Sequence, residues 1–226
     1  MIKNFNGITV AEYNSAKEAV CEKVDSDLIR IEIPSNSEDM IYLQKEGFFF
    51  VDRNIGVSIT ISKVNADFSR IIRVETVLEN SLSSQVKEKL LEIAVDSFLL
   101  DRRFNLRLQC SKEISRKVLS EHIKDIKQCF LAYHKSDVIG FLYLKKIDDE
   151  SFFVELAAVI PKFRISGAAL SLYASAVQWA KDNHAKRIIG RISTQNVAVI
   201  NLYNYFGASY FEPHDIFIKE NNDGLQ

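Results

Sequence analysis

Three short features combine residue types that could do chemistry: the loop 164–169 (RISGAA), the pair Asn196 and Tyr203, and Glu155 in the run FFVELAAVIP. In the loop, Gly167 allows an approach that a side chain would block, and Ala168 and Ala169 keep the next turn slim. The N–H groups of a helix's first turn lack intrahelical acceptors, and the helix dipole favours negative charge there. A strand that runs through a glycine turn into an open helix start therefore makes an anion site from backbone alone. Arg164 can add a charge-assisted contact. Close helix–sheet packing at Gly167 is the alternative reading of the same residues.

Asn196 stands where a helix cap is expected. Tyr203 follows seven residues later, about two turns on and on nearly the same face. A phenol with a reference pKa near 10 keeps its proton at neutral pH and can give it to a stronger base. Tyr205 points about 200° away and is read as core. Glu155 shares strand parity with Ala157 and Val159, which makes it either a base reaching an amine through water or a solvated edge glutamate. Ala157 and Ala158 suit a local strand irregularity and the close approach of a ligand, or else face a crowded helix. His134, on a predicted hairpin, is a second candidate base. His122 falls on the polar face of a helix, and His184 and His214 read as loop or surface residues.

The elements that must position these groups are legible as patterns. The first hundred residues carry extended runs, LIRIEIP, GFFFVDRN, VSITISKV and RIIRVETVL, rich in β-branched and aromatic residues. From Ser84 the spacing turns helical, with Val86, Leu90, Ile93, Ala94 and Phe98 along one side. DRRFN reads as a connection, and a second amphipathic helix follows, capped by Ser111. Then come the hairpin CFLAYHK/VIGFLYLKKI, the strand FFVELAAVIP, the helix after Gly167, the strand KRIIGRIS, a helix in NVAVINLYNYFG ended by Gly207, and the strand SYFEPHDIFIK. The order β-β-β-α-β-α-β predicts an α/β fold with a mixed sheet. The boundary is expected in DRRFN, with one domain over 1–105 and a second over 106–226. The glycines of a Rossmann dinucleotide fingerprint are missing.

Composition narrows the classes further. Of 226 residues, 47% are hydrophobic and 26% charged, as in an ordinary folded chain. A net charge of -1 supplies no field that would draw nucleic acid or an anionic membrane. Three widely spaced cysteines give neither a disulfide framework nor a metal-ligand pattern, so no metal is expected. No signal-like segment opens the chain and no run approaches the roughly 18 apolar residues of a span, so a cytoplasmic protein is expected.

AVIPKFRISGAALSLYASAVQWAKD followed by NVAVINLYNYFGA resembles the acyl-CoA-dependent N-acyltransferases of the GNAT superfamily. That family holds the coenzyme A pyrophosphate with a Gln/Arg-x-x-Gly-x-Gly/Ala loop. Its Asn-x(6)-Tyr-x(3)-Gly helix turns the tyrosine toward the coenzyme sulfur. The resemblance implies acetyl-CoA as cosubstrate, coenzyme contacts from Arg164, Ile165, Ser166, Gly167, Ala168, Ala169, Asn196 and Tyr203, and an oxyanion-binding N–H at Ala158 or Val159. It also implies Tyr203 as the acid that protonates the departing thiolate. Ile165 and Ser166 depart from the family's usual glycine and basic residue.

The same region is similar to the dTDP-fucosamine acetyltransferase branch, which carries a degenerate GNAT-like half ahead of the catalytic one. DRRF resembles that branch's Ser-Arg-Phe segment, with Arg103 and Phe104 in the matching places. The branch implies direct attack by the amine of a nucleotide-linked 4-amino-4,6-dideoxyhexose, as in polysaccharide biosynthesis. Arg102 and Arg103 would serve its diphosphate, and His134 would lie near the acceptor. The N-terminal half would supply either substrate contacts or the surface of a homodimer. Another small amine or a protein N-terminus as acceptor, or an acyl-CoA-binding module without turnover, are the alternatives.

Overall fold

The computed structural model describes residues 1–5, 8–22, 25–64, 72–78, 81–99, 101, 112–124 and 128–221. Among them the chain forms β1 (Ile2–Phe5), β2 (Ile8–Tyr13), α1 (Ala16–Cys21), β3 (Leu28–Pro34), α2 (Asp39–Lys45), β4 (Phe49–Thr60), β5 (Arg73–Leu78) and α3 (Ser84–Phe98). These are followed by α4 (Lys112–Lys124), β6 (Gln128–His134), β7 (Asp137–Lys146), β8 (Ser151–Val159), α5 (Ala168–Asp182), β9 (Arg187–Ser193), α6 (Val197–Tyr205) and β10 (Ser209–Glu220). The expected β-β-β-α-β-α-β order of the C-terminal half is present. GFFFVDRN and VSITISKV form one long strand rather than two, because Ile55 and Gly56 continue the ladder without a turn.

The strands form one mixed sheet in the order β1-β2-β3-β10-β4-β9-β8-β7-β6-β5. Among the described residues only β2/β3 and β8/β9 pair in parallel; the other neighbours are antiparallel. β4, from the N-terminal half, is inserted between β9 and β10. Strands of both halves therefore share one hydrogen-bonded surface.

Alternation along the strands sorts the core onto two faces. Ile29, Ile31, Ile33 and Phe217 pack with Ala16, Ala19 and Leu43 of α1 and α2. Val57, Ile59, Ile139, Leu142, Phe152, Val154 and Ile188 pack under α5 and α6. In β4 the residues Arg53, Ile55, Val57 and Ile59 follow one another by twos, and Arg53 pairs with Asp215 opposite Ile33, so both groups lie on one face, called here the α5 face. On the α4 face, Leu90, Ile93 and Ala94 of α3 and Val118 and Leu119 of α4 cover Leu131, Phe141, Leu156 and Ala158. Val10 and Leu28 join that same cluster and α4 touches β1, so the sheet bends around the α3/α4 pair. Periodicity placed the apolar side of α3 correctly: Leu90, Ile93, Ala94 and Phe98 are buried. Among the described residues no helix is long and apolar enough to cross a membrane.

One ion pair locks β10 to β4. Asp215 is fully buried and receives Arg53 Nε at 2.5 Å, Arg53 Nη2 at 2.9 Å and the Ser35 hydroxyl at 2.8 Å. Burial alone would raise this carboxyl's pKa. The bonds from Arg53 and Ser35, with the Arg53 charge, outweigh burial and hold it below the ordinary aspartate value. A depressed folded-state pKa contributes stability that is present above the unfolded value, near 3.9, and is lost as pH falls through the folded value. Because the Arg53 side chain is 42% exposed, solvent screening discounts the pair. Arg53→Met is expected to lower unfolding free energy by about 1–2 kcal/mol at pH 7, with a smaller deficit at an acid pH below Asp215's depressed folded-state value, where that carboxyl is protonated. Urea titrations at the two pH values check both the size and the sign.

Candidate active site

The parallel pair β8/β9 is short. Ser151, Phe152 and Phe153 stand opposite Arg187, Ile188 and Ile189, and there the ladder ends. Beyond it, β9 continues against β4 through Ser193, while β8 stays with β7 through Val159. The two strands thus part from Val154 and Gly190 onward. This leaves one edge of β8 without a strand neighbour, an opening between the sheet's two faces. Ile160 N–H donates to the Ile139 carbonyl of β7 at 2.9 Å. Period-two alternation then directs the Ala158 N–H to β7 and the Val159 N–H into the opening. Of the two expected oxyanion donors, Val159 is the one whose amide faces the gap.

The chain leaves β8 through Ile160 and a short 3₁₀ turn, Pro161–Phe163, and enters α5 through Gly167. Gly167 has φ 83°, the left-handed region that disfavours a side chain. No side chain caps α5, and the first bond into the helix is Ser171 N–H to the Gly167 carbonyl at 2.9 Å. The N–H groups of Gly167, Ala168, Ala169 and Leu170 have no acceptor among the described residues. Ser166 does not join them. Its N–H donates to the Phe163 carbonyl at 3.1 Å and its hydroxyl to the same oxygen at 2.7 Å, because the turn folds back on itself. Arg164 is exposed at this rim and Ile165 is almost wholly exposed; Ala168 is buried against the core.

Asn196 caps α6, its side-chain oxygen accepting from Val199 N–H at 3.2 Å. Tyr203, 1% exposed, turns inward to α5. The Tyr173 hydroxyl donates to the Tyr203 hydroxyl at 3.2 Å, and the rings meet edge to face with centroids 5.2 Å apart. A Cβ built on Gly190 would lie 2.7 Å from the Tyr203 oxygen. Gly190 is the first β9 residue past the parallel ladder, so this phenol stands at the opening on the α5 face. Tyr205 is not core but 61% exposed, since with Tyr203 facing β9 a rotation of about 200° ends in solvent.

Glu155 holds the largest difference from the sequence reading. Tyr143 stands opposite Leu156 and Leu144 opposite Val154, so Glu155 is the extra residue of a β-bulge. The irregularity expected at Ala157 and Ala158 lies there instead. A bulge shifts the alternation by one. Val154 and Val159 face α5, with Ala157 packed against their cluster, whereas Leu156 and Ala158 face α4. Glu155 does not share a face with Ala157 and Val159. It meets His122 of α4, with Nδ1 and Oε1 2.6 Å apart. The Glu155 side chain is 21% exposed and that of His122 37%.

His134 lies elsewhere: it ends β6 with its ring 5.0 Å from Phe163, beside the turn that leads to α5, and is not brought to Glu155. Arg102 and Arg103 lie outside the described residues, as does the expected cap Ser111. Sequence reasoning passed over Tyr173, Gly190 and the contact between His122 and Glu155. Gly190 carried a usable signal, because a glycine inside a strand marks a bulge or a close approach.

Residues 89–208, just over half of the chain, match the Acetyltransferase (GNAT) family. No curated protein matches the chain. Among solved structures, a conserved protein of unknown function from Staphylococcus epidermidis ATCC 12228 is similar over 95% of this chain and 84% of its own, with TM-score 0.62 and 14% identity. A glucosamine N-acetyltransferase region of a fungal multi-domain β-N-acetylglucosaminidase is similar over 85% of this chain and 25% of that one, with TM-score 0.60 and 11% identity. A GCN5-related N-acetyltransferase from Sphaerobacter thermophilus covers 88% and 61%, with TM-score 0.59 and 13% identity. At such identities the likeness speaks for fold alone, and the mixed sheet with its parted parallel pair is that fold. With the matching family span laid over β8, the uncapped α5 and Tyr203, the chain belongs to the GNAT acetyltransferases, acyl-CoA-dependent N-acyltransferases.

Proposed function

We propose that this enzyme transfers an acetyl group from acetyl-CoA to the amine of a nucleotide-linked amino sugar of the dTDP-4-amino-4,6-dideoxyhexose type. One observation carries the mechanism: an uncapped helix start and a buried phenol flank the opening on one face of the sheet, and a carboxylate flanks it on the other. Acetyl-CoA supplies an activated thioester carbonyl.

The amides of Gly167, Ala168, Ala169 and Leu170 bind the pyrophosphate, and Arg164 adds charge from the rim. Val159 N–H donates to the carbonyl oxygen as it gains negative charge, a contact stronger in the transition state than in the ground state. Glu155, oriented by His122, removes a proton from the attacking amine on the α4 face. Tyr203 gives its proton to the sulfur on the α5 face as the C–S bond breaks and the C–N bond forms. The Tyr173 hydroxyl, 3.2 Å from that of Tyr203, holds the phenol in place. Acid and base thus stand on opposite sides of the sheet. Arg102 and Arg103 are retained as contacts to the acceptor's diphosphate, and the segment around them as the boundary between an N-terminal half, 1–105, and a catalytic half, 106–226.

Tyr203→Phe is expected to lower kcat by about 10²–10⁴-fold with coenzyme affinity little changed. Thiol release followed across a pH series checks this, and equal rates for variant and wild type remove the acid role. Gly167→Glu is expected to abolish coenzyme binding, since it sets bulk and negative charge where the pyrophosphate sits and strains a left-handed backbone. Calorimetry with coenzyme A reads this directly. Release of thiol from acetyl-CoA on a panel of 3-amino and 4-amino sugar nucleotides tests the acceptor class; turnover confined to amino acids or peptides excludes it.

A further inference from the structure

A row of polar side chains crosses the α4 face from the opening toward β3. Arg191 on β9 and Glu155 on β8 each lie two residues past the last parallel pair, on opposite lips of the opening. Arg191 is bonded to the side-chain oxygen of Asn54 on β4, and Asn54 Nδ2 donates to Glu32 Oε1 at 2.9 Å. The same Glu32 oxygen meets His214 Nδ1 of β10 at 3.2 Å, while Glu32 Oε2 receives Arg30 Nη2 at 3.1 Å. Asn54 is 2% exposed, and the side chains of Arg30, Glu32, Arg191 and His214 are between 14% and 26% exposed. The bend of the sheet brings Val10 and Leu28 to the α3/α4 cluster and α4 to β1, so the row lies on the floor of the sheet's concave side.

An aromatic ring lies beside the row. A Cβ on Gly56 would come within 2.6 Å of the Phe211 ring, so that ring rests on the strand at Gly56. Gly56 is paired with Phe211 across β10/β4 and with Arg191 across β4/β9, so Phe211 and Arg191 flank it on the same face of the sheet. Phe211 is held there by a bulge: Phe211 pairs with Gly56 and His214 with Asn54, leaving one extra residue in β10, with Glu212 at φ 43°. A non-glycine residue in that conformation is uncommon and often marks a site where a side chain is re-aimed.

Resting on the reading of the chain as a sugar N-acetyltransferase, we infer that this floor is the acceptor subsite. The amino-sugar ring stacks on Phe211 and hydrogen-bonds to Glu32, Arg191 and His214, which the buried Asn54 holds in place from beneath, with its amine at Glu155. The chemistry favours a neutral polyhydroxyl ring over a phosphate. Glu32 and the two arginines are already paired, so the row offers little net charge to an anion; it offers alternating planar donors and acceptors, which match hydroxyls that do both. Glu32 and Asn54 come from the N-terminal half, so that half contributes directly to acceptor recognition.

The test uses the full-length protein saturated with coenzyme A and two probes observed by ligand-detected NMR: the methyl glycoside of 4-amino-4,6-dideoxygalactose, and dTDP. Phe211→Ala and Glu32→Gln are each expected to weaken glycoside binding roughly tenfold or more, the equivalent of one lost stacking or charged hydrogen-bond contact. Binding of dTDP and coenzyme A should stay within about twofold of wild type. Phe211 lies at the surface, so its variant tests the subsite even if Glu32→Gln perturbs the fold, and coenzyme affinity reports that fold. Glycoside binding unchanged in both variants overturns the inference. So does loss of dTDP but not glycoside affinity, and so does a wild-type protein that binds coenzyme A but not the glycoside. Failure of the wild type to bind coenzyme A defeats the transferase reading on which it rests.

Discussion

A parallel strand pair that stops after three residues is the constraint on which the rest depends. Unpaired strand edges inside a sheet leave amides without partners, and such groups are costly unless something satisfies them. Here β9 avoids the cost by pairing with β4 along its other edge. β8 keeps β7 and leaves its second edge open toward Gly190. The opening is therefore made possible by a strand from the N-terminal half. Without β4, residues 190–193 of β9 would have no strand partner.

Around that opening the sheet divides the chemistry. Helices α5 and α6 bring positive dipole and a buried phenol to one face. Helix α4 brings an imidazole to the bulged Glu155 on the other. Neither arrangement needs a long-range motion, since each side chain is fixed by an element that packs through ordinary apolar burial. The bulge at Glu155 and the second bulge at Glu212 act alike: each inserts one residue, reverses the facing of the residues after it, and turns a side chain toward the α4 face.

The glycine turn, the Asn196 cap and the β-α-β-α-β order were legible in the sequence because they are local. A left-handed glycine, a capping oxygen and an apolar stripe each act within a few residues. β3 and the helix from Ser84 were legible for the same reason. The face of Glu155 was not, since a bulge is set by the partner strand's register and alternation alone predicts the opposite side. Strands β1 and β2 and helices α1 and α2 had weak patterns of their own and take their form from packing on Ile31, Ile33 and Phe217. The insertion of β4 between β9 and β10, and the Tyr173–Tyr203 contact, join residues far apart in sequence and leave no periodic trace.

The claim at the centre is that bare amides at the start of α5, together with one amide at the open edge of β8, grip the cosubstrate. Amide hydrogen exchange measured by NMR, with and without a desulfo analogue of acetyl-CoA, reads those groups one by one. The account predicts that Gly167, Ala168, Ala169, Leu170 and Val159 slow markedly on binding, while Ser166 and Ala158, already bonded within the protein, change little. Saturating analogue that leaves the α5 amides exchanging as before, with protection gathered elsewhere, would contradict it.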